Sequence, residues 1–118
     1  MVDYEYDKFE DIVAKDGRYA SSAYALLMDV FNYLKEKEDN VTAAEIMDEF
    51  RETALDEFGP LTFHVLEEWG IKRCEDLGEM MFNLADSGRV VRTEDDTKEC
   101  FIDGYDFRET FLLPFEPR

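Results

Sequence analysis

His64 is the residue best suited to acid–base or metal chemistry, because imidazole titrates close to neutral pH. It is the only histidine in the chain, and Glu67 and Glu68 follow it by three and four residues. On a helix one of these carboxylates would share a face with His64 and join it around a metal ion. One histidine and one acid supply two ligands at most, so the sequence favours a structural or exposed histidine.

Cys74 is the second candidate, because backbone N–H groups at a helix N-terminus stabilise a thiolate. Glu75 and Asp76 follow it directly and oppose a thiolate by charge repulsion. The chain has no Gly-x-Ser-x-Gly, phosphate-binding-loop or Gly-x-Gly-x-x-Gly motif. Cys74 and Cys100 are too few for a disulfide framework and too far apart for a Cys-x-x-Cys motif, a pattern typical of a reducing cytoplasm.

The acidic residues between positions 94 and 99 could collect a divalent cation, since Mg²⁺ and Ca²⁺ prefer clustered oxygens. This stretch lacks the alternating ligands and the turn glycine of an EF-hand loop. We interpret it as a solvated hairpin tip, with a weak cation site as the alternative. The sequence therefore predicts a protein that is not an enzyme, with no cofactor and no metal site.

The charge of the chain restricts its partners. Thirty acidic residues against thirteen basic ones give a formal net charge of −17. The isoelectric point is about 4.2, whereas DNA-binding domains tend to lie above about 9. Such a field repels phosphate backbones and anionic lipid. We predict no direct nucleic-acid binding and no membrane contact, and an unknown protein partner for which a basic surface would suit the charge.

The composition predicts a folded protein. Its 118 residues are 45% hydrophobic and 14% aromatic, which is too rich for disorder and sufficient for one core. Apolar runs are only a few residues long, far short of the ~20 that cross a bilayer, and no secretory signal is expected. These features, with the cysteine usage, favour a cytoplasmic location.

Helical periodicity predicts two N-terminal helices, over residues 3–15 and 19–37. The third helix has an explicit start, because Thr42 and Glu45 form a capping box and Val41 and Ile46 a hydrophobic staple. It is expected to end at Gly59-Pro60.

Two further helices are expected over residues 60–69 and 75–87, the latter with a core stripe at Leu77, Met80, Met81 and Leu84. Gly78 inside that stripe costs about 1 kcal/mol against alanine and indicates close approach to a neighbouring helix. The β-rich runs 89–93 and 100–102 predict a hairpin around residues 94–99.

The predicted fold is mainly α with a C-terminal β-hairpin, and its second half is winged-helix-like and preceded by two N-terminal helices. We expect a single domain over residues 1–118, consisting of two covering helices (1–40), the winged-helix-like part (41–105) and a docked apolar tail (106–118).

The helix over residues 75–87 occupies the place of a recognition helix. With Leu77 facing inward, a 100° step per residue turns Glu75, Glu79, Asn83 and Asp86 outward. This face has no Lys or Arg and would repel DNA phosphates. We therefore predict that it contacts a protein partner.

Five motifs in the middle of the chain occur together: Glu57-Phe58-Gly59-Pro60, Trp69-Gly70-Ile71, Glu75-Asp76-Leu77-Gly78-Glu79, Phe82-Asn83-Leu84 and Tyr105-Asp106-Phe107. Over residues 18–107 the chain resembles an uncharacterised bacterial protein family known mainly from planctomycetes and verrucomicrobia. The resemblance implies a domain and supplies no activity, cofactor or catalytic residue. Cys74 stands where Ser or Thr is expected, so the resemblance does not imply a thiol function.

Three classes of function follow. The first is a non-enzymatic, acidic protein–protein interaction module. The second is an acidic nucleic-acid mimic that binds a basic protein, with carboxylates in place of phosphates. The third is an enzyme or metal binder that uses His64.

Overall fold

The computed structural model describes residues 9–37, 41–90, 98–102 and 104–116. Five α-helices lie in these ranges: α1 (Glu10–Lys15), α2 (Ser21–Lys37), α3 (Ala43–Phe58), α4 (Thr62–Glu68) and α5 (Cys74–Asp86). Shorter elements are the 3₁₀ turns Gly59–Leu61, Lys98–Phe101 and Leu113–Phe115 and the π-helical turn Arg108–Leu112. The described residues contain no β-strand.

The predicted helices are confirmed within one to three residues at most ends. The first is seen from Glu10 onward, and its predicted beginning, residues 3–8, lies outside the described residues. The start of α3 has the predicted geometry, since the Thr42 hydroxyl accepts from the Glu45 N–H at 3.2 Å and the Glu45 carboxylate accepts from the Thr42 N–H at 2.9 Å. Val41 and Ile46, the predicted staple, are both buried.

One hydrophobic core includes residues from all five helices and from the C-terminal turns. Helix α2 packs on α3, and α3 also packs on α4 and on the turn Lys98–Phe101. The largest fully buried side chains are Tyr19, Tyr24, Phe50 and Phe111. No buried side-chain nitrogen or oxygen in the described ranges lacks a hydrogen-bond partner, as expected of a well-packed interior.

The predicted C-terminal β-hairpin, and with it the winged-helix-like fold, is wrong. Gly88 has a φ of +86°, and the Arg89 N–H donates to the Leu84 carbonyl at 2.9 Å. This is a Schellman-type helix end, so Arg89 terminates α5 and does not start a strand. Residues 91–97, which include most of the predicted hairpin tip, lie outside the described residues.

The second predicted strand, residues 100–102, is largely part of the turn Lys98–Phe101. A Cβ atom at Gly78 would lie 3.0 Å from Cδ2 and 3.2 Å from Cβ of Phe101. The buried Phe101 side chain therefore occupies the space that Gly78 leaves on α5. The close neighbour of Gly78 is this side chain from a 3₁₀ turn, where the sequence predicted the backbone of a neighbouring helix. Packing onto a helix has overridden the β propensity of this apolar run.

The tail beyond residue 106 packs through its first half. Phe107 and Phe111 are buried with ring centroids 4.9 Å apart in an edge-to-face pair. The π-helical turn that carries Phe111 packs against α4. Leu113 and Phe115 follow it and are exposed, so the predicted docking of the apolar tail holds for only part of it.

Candidate functional site

The face of α5 that we predicted to contact a partner, Glu75, Glu79, Asn83 and Asp86, forms hydrogen bonds with other parts of the same chain. Glu79 accepts from Arg18 at 3.2 Å, and Asp86 accepts from Lys15 at 3.2 Å. Asn83 donates its side-chain amide to Asp16 at 3.0 Å. Contact of this face with another protein remains a prediction, and a partner there would meet side chains already engaged in intramolecular bonds.

A polar network connects the loop after α1 to this face of α5. Arg18 forms a forked pair with Asp16, with N···O distances of 2.9 and 2.7 Å. The Asn83 amide also donates to the Tyr24 hydroxyl at 3.0 Å. Hydrogen bonding to Arg18 lowers the pKa of Asp16 well below its ordinary value. The network thus contributes its full stabilisation above about pH 3.9, the ordinary Asp pKa, and loses it as the pH falls toward the lowered pKa.

Tyr19 anchors the same loop to the start of α5. Its hydroxyl donates to Asp76 at 2.6 Å, and the same carboxylate accepts from the Lys72 N–H at 2.8 Å and the Arg73 N–H at 3.2 Å. Asp76 therefore satisfies backbone donors at the helix N-terminus. Burial, reinforced by the hydrogen bond to Asp76, raises the pKa of Tyr19 and keeps its phenol protonated at neutral pH.

Gly70 positions this loop against the end of α4. Its φ is +93°, and a Cβ atom there would overlap the carbonyl oxygen of Arg18. The Ala20 N–H also donates to the Trp69 carbonyl at 3.1 Å. Two successive backbone contacts thus place Arg18 and Tyr19 above the segment that leads into α5.

This arrangement leaves a cleft of about 420 Å³, here called the basic cleft, lined by Arg18, Tyr19, Gly70, Lys72, Arg73 and Asp76. Three of its six residues are basic and one is acidic, the reverse of the balance in the whole chain. A second cleft of about 210 Å³ is mainly polar and acidic and is lined by Asp11, Ile12, Lys15, Asp16, Asn83, Asp86 and Ser87.

Cys74 is a packed thiol and not a nucleophile at neutral pH. It is buried and approaches the Tyr105 carbonyl at 3.6 Å. Burial, with the neighbouring Glu75 charge, raises its pKa to about 11. A Cβ atom at Gly104 would overlap its Sγ, so the C-terminal segment packs directly onto Cys74. Cys100 is exposed, and neither cysteine is in a disulfide.

His64 lies exposed on α4, edge-to-face with Phe63 at 5.8 Å. Glu67 and Glu68 are exposed on the same helix. In the described part of the chain no three His, Cys, Asp or Glu side chains come together as a metal site would require. The structure therefore adds no ligand to His64 beyond those that the sequence suggested.

Three apolar side chains at the C-terminal end of the fold are exposed, and we call them the apolar surface: Leu61, Leu113 and Phe115. Their exposed fractions are 63%, 46% and 43%. Leu61 directly precedes α4, and Leu113 directly follows the π-helical turn that packs against α4. Leu61 thus lies in the turn next to α4, and Leu113 and Phe115 lie in the turn next to the π-helical turn, which packs against α4.

The comparisons with protein families, curated proteins and solved structures find no match to this chain. The family resemblance described from the sequence accordingly stays a prediction. Across the ranges that the structure describes, no helix has both the length and the apolar character required to traverse a bilayer.

The basic cleft and the apolar surface were both missed from the sequence. Lys72 and Arg73 are the only adjacent pair of basic residues in the chain, a local signal within a strongly acidic sequence. The exposure of Leu61 had no comparable signal, because an apolar residue at the start of a helix is ordinarily read as part of the core.

Proposed function

We propose that this chain is a non-enzymatic, acidic protein–protein interaction module of the cytoplasm, and that the apolar surface binds a basic segment of a partner protein. The exposure of Leu61, Leu113 and Phe115 supports the proposal, because large apolar side chains gain free energy when a partner removes them from water. We infer that one partner covers all three, because the turns that carry them adjoin α4 and the π-helical turn, two elements that contact each other.

The charges that flank the apolar surface in the sequence suggest the chemistry of the partner. Residues 56–68 and 108–116 contain one basic residue, Arg108, and six acidic ones, all exposed: Asp56, Glu57, Glu67, Glu68, Glu109 and Glu116. A basic segment would be attracted to this rim while its apolar side chains cover the surface. An acidic or nucleic-acid partner would be repelled.

Selection from a displayed library of random 12-residue peptides tests the proposal. We expect enrichment of peptides that combine Lys or Arg with Leu, Phe or Trp. The triple variant Leu61→Ser, Leu113→Ser, Phe115→Ser should bind these peptides at least ~tenfold more weakly, since tenfold corresponds to about 1.4 kcal/mol and the variant removes all three apolar anchors.

The matched control is the double variant Tyr33→Ser, Ile102→Ser, which replaces side chains of similar exposure elsewhere, 45% and 49%. Its peptide affinity should stay within about twofold of the wild type, because isolated exposed apolar residues are ordinary surface features. Equal binding by the triple variant, or enrichment of peptides without basic residues, would refute the proposal.

The nucleic-acid mimic is kept as a second candidate because of a row of carboxylates on α3. Asp48, Glu52 and Asp56 are exposed at four-residue spacing, which places them on one helix face. Arg51 lies between two of them and pairs with Asp48 at 3.4 Å and Glu52 at 3.2 Å. If duplex DNA displaces the chain from a basic partner, the mimic is favoured over the apolar surface.

A further inference from the structure

We propose that the basic cleft binds the phosphate group of a small ligand. This site is separate from the apolar surface and does not depend on the function proposed above. Its volume of about 420 Å³ falls in the range of roughly 300–1,000 Å³ that is usual for small-molecule sites. It therefore has room for a phosphate together with the group that carries it.

Three basic residues line the cleft: Arg18, Lys72 and Arg73. Arg18 uses Nε and Nη2 in its bonds to Asp16 and Glu79, which leaves Nη1 without a partner among the described residues. Lys72 and Arg73 are exposed and form no side-chain ion pair within the described part of the chain. Guanidinium and ammonium groups are the usual partners of phosphate oxygens.

Asp76, the acid that lines the cleft, is already held by hydrogen bonds to other groups of the chain. Asp76 already accepts from the Tyr19 hydroxyl and from the N–H groups of Lys72 and Arg73. These bonds hold its carboxylate at the start of α5 and spread its charge over the backbone. Asp16 and Glu79 are likewise engaged by Arg18. Within the described residues Lys72 and Arg73 are in no side-chain ion pair, and Asp76 is the one acid that lines the cleft with them.

The net charge of −17 does not prevent anion binding here. At physiological ionic strength exposed charges are screened beyond a Debye length of about 8 Å. A ligand in the cleft therefore responds mainly to groups within that distance, which are Lys72, Arg73 and Asp76, together with Arg18 and the two acids paired with it. The affinity for a phosphate should fall as salt is added, because the lining cations are largely exposed.

Two-dimensional amide NMR of the whole chain tests this proposal with inorganic phosphate, phenyl phosphate and acetate as probes. We expect saturable shifts at Gly70, Lys72 and Arg73 with both phosphates, and much weaker ones with acetate, which carries half the charge of a phosphate dianion. Binding of phenyl phosphate at least as tight as that of phosphate would identify a phosphorylated small molecule. Binding of phosphate with exclusion of phenyl phosphate would restrict the site to the free ion and overturn the inference of a larger ligand.

The variant Lys72→Ala, Arg73→Ala should bind phosphate at least ~tenfold more weakly, since it lacks two charge-assisted donors. The control Lys35→Ala, Lys37→Ala removes two exposed lysines from the end of α2 and the same charge. Its affinity should stay within about twofold of the wild type if the cleft is the site. Equal losses in the two variants, or equal shifts with acetate, would overturn the proposal.

Discussion

Replacing Gly70 with alanine should destabilise the fold by about 2–4 kcal/mol. The φ of +93° costs a residue with a Cβ atom on the order of 1 kcal/mol. Overlap of that atom with the Arg18 carbonyl oxygen forces the backbone apart and adds roughly 1–3 kcal/mol. Urea denaturation followed by circular dichroism measures the change in unfolding free energy.

Gly88→Ala is the matched control, because Gly88 also has a positive φ, +86°, but a Cβ atom there meets nothing within 4 Å. Only the backbone cost of about 1 kcal/mol should remain. The difference between the two variants isolates the contact between Gly70 and Arg18. Equal losses of stability would show that the loop carrying Arg18 and Tyr19 does not rest on Gly70.

Phe111→Ala should cost about 3–5 kcal/mol, the usual loss for a fully buried phenylalanine. Phe111 has no exposed surface and packs edge-to-face on Phe107 at 4.9 Å and on Tyr105 at 5.8 Å. These rings attach the C-terminal segment to the core. The same denaturation experiment measures the loss.

Phe115→Ala is the control of identical chemistry four residues later, and it should change stability by less than about 0.5 kcal/mol because Phe115 is exposed. Total stability is typically about 5–15 kcal/mol, so Phe111→Ala can leave the chain largely unfolded. In that event Phe111→Leu gives the measurable intermediate loss. Equal effects at positions 111 and 115 would contradict the docking of the segment through Phe111.

The helices were predictable because their signals are local. The capping box at Thr42 and Glu45 satisfies backbone donors within four residues, and the stripe Leu77, Met80, Met81 and Leu84 on α5 has helical period. Such features depend little on the rest of the fold. The predicted positions of α2, α3 and α5 were accurate for this reason.

The hairpin was not predictable, because its residues respond to distant ones. The Phe101 side chain packs against Gly78, twenty-three residues earlier in the chain, and this contact holds Phe101 in a turn. Gly78 itself signalled a close neighbour, but the sequence did not identify Phe101 as that neighbour. A run with β propensity was therefore assigned to a strand when a tertiary contact decided its structure.

The two candidate sites were hidden for a similar reason. Arg18 reaches the basic cleft because its backbone passes close to Gly70. Leu113 directly follows the π-helical turn, which packs against α4 and carries the buried Phe111. Both placements depend on contacts between segments far apart in the chain. The bonds of Glu79, Asn83 and Asp86 on α5 to Arg18, Asp16 and Lys15 could not be read from helical period alone.

Methyl and aromatic NMR of the chain, titrated with a basic apolar peptide obtained by the library selection, tests most directly whether a basic partner binds the apolar surface. We expect the largest shifts at the Leu61 and Leu113 methyl groups and the Phe115 ring, with affinity that falls as salt is added. Saturation of the shifts at these three residues would locate the interface. Shifts confined to the α3 carboxylate row or to the outer face of α5, with these three side chains unmoved, would contradict it.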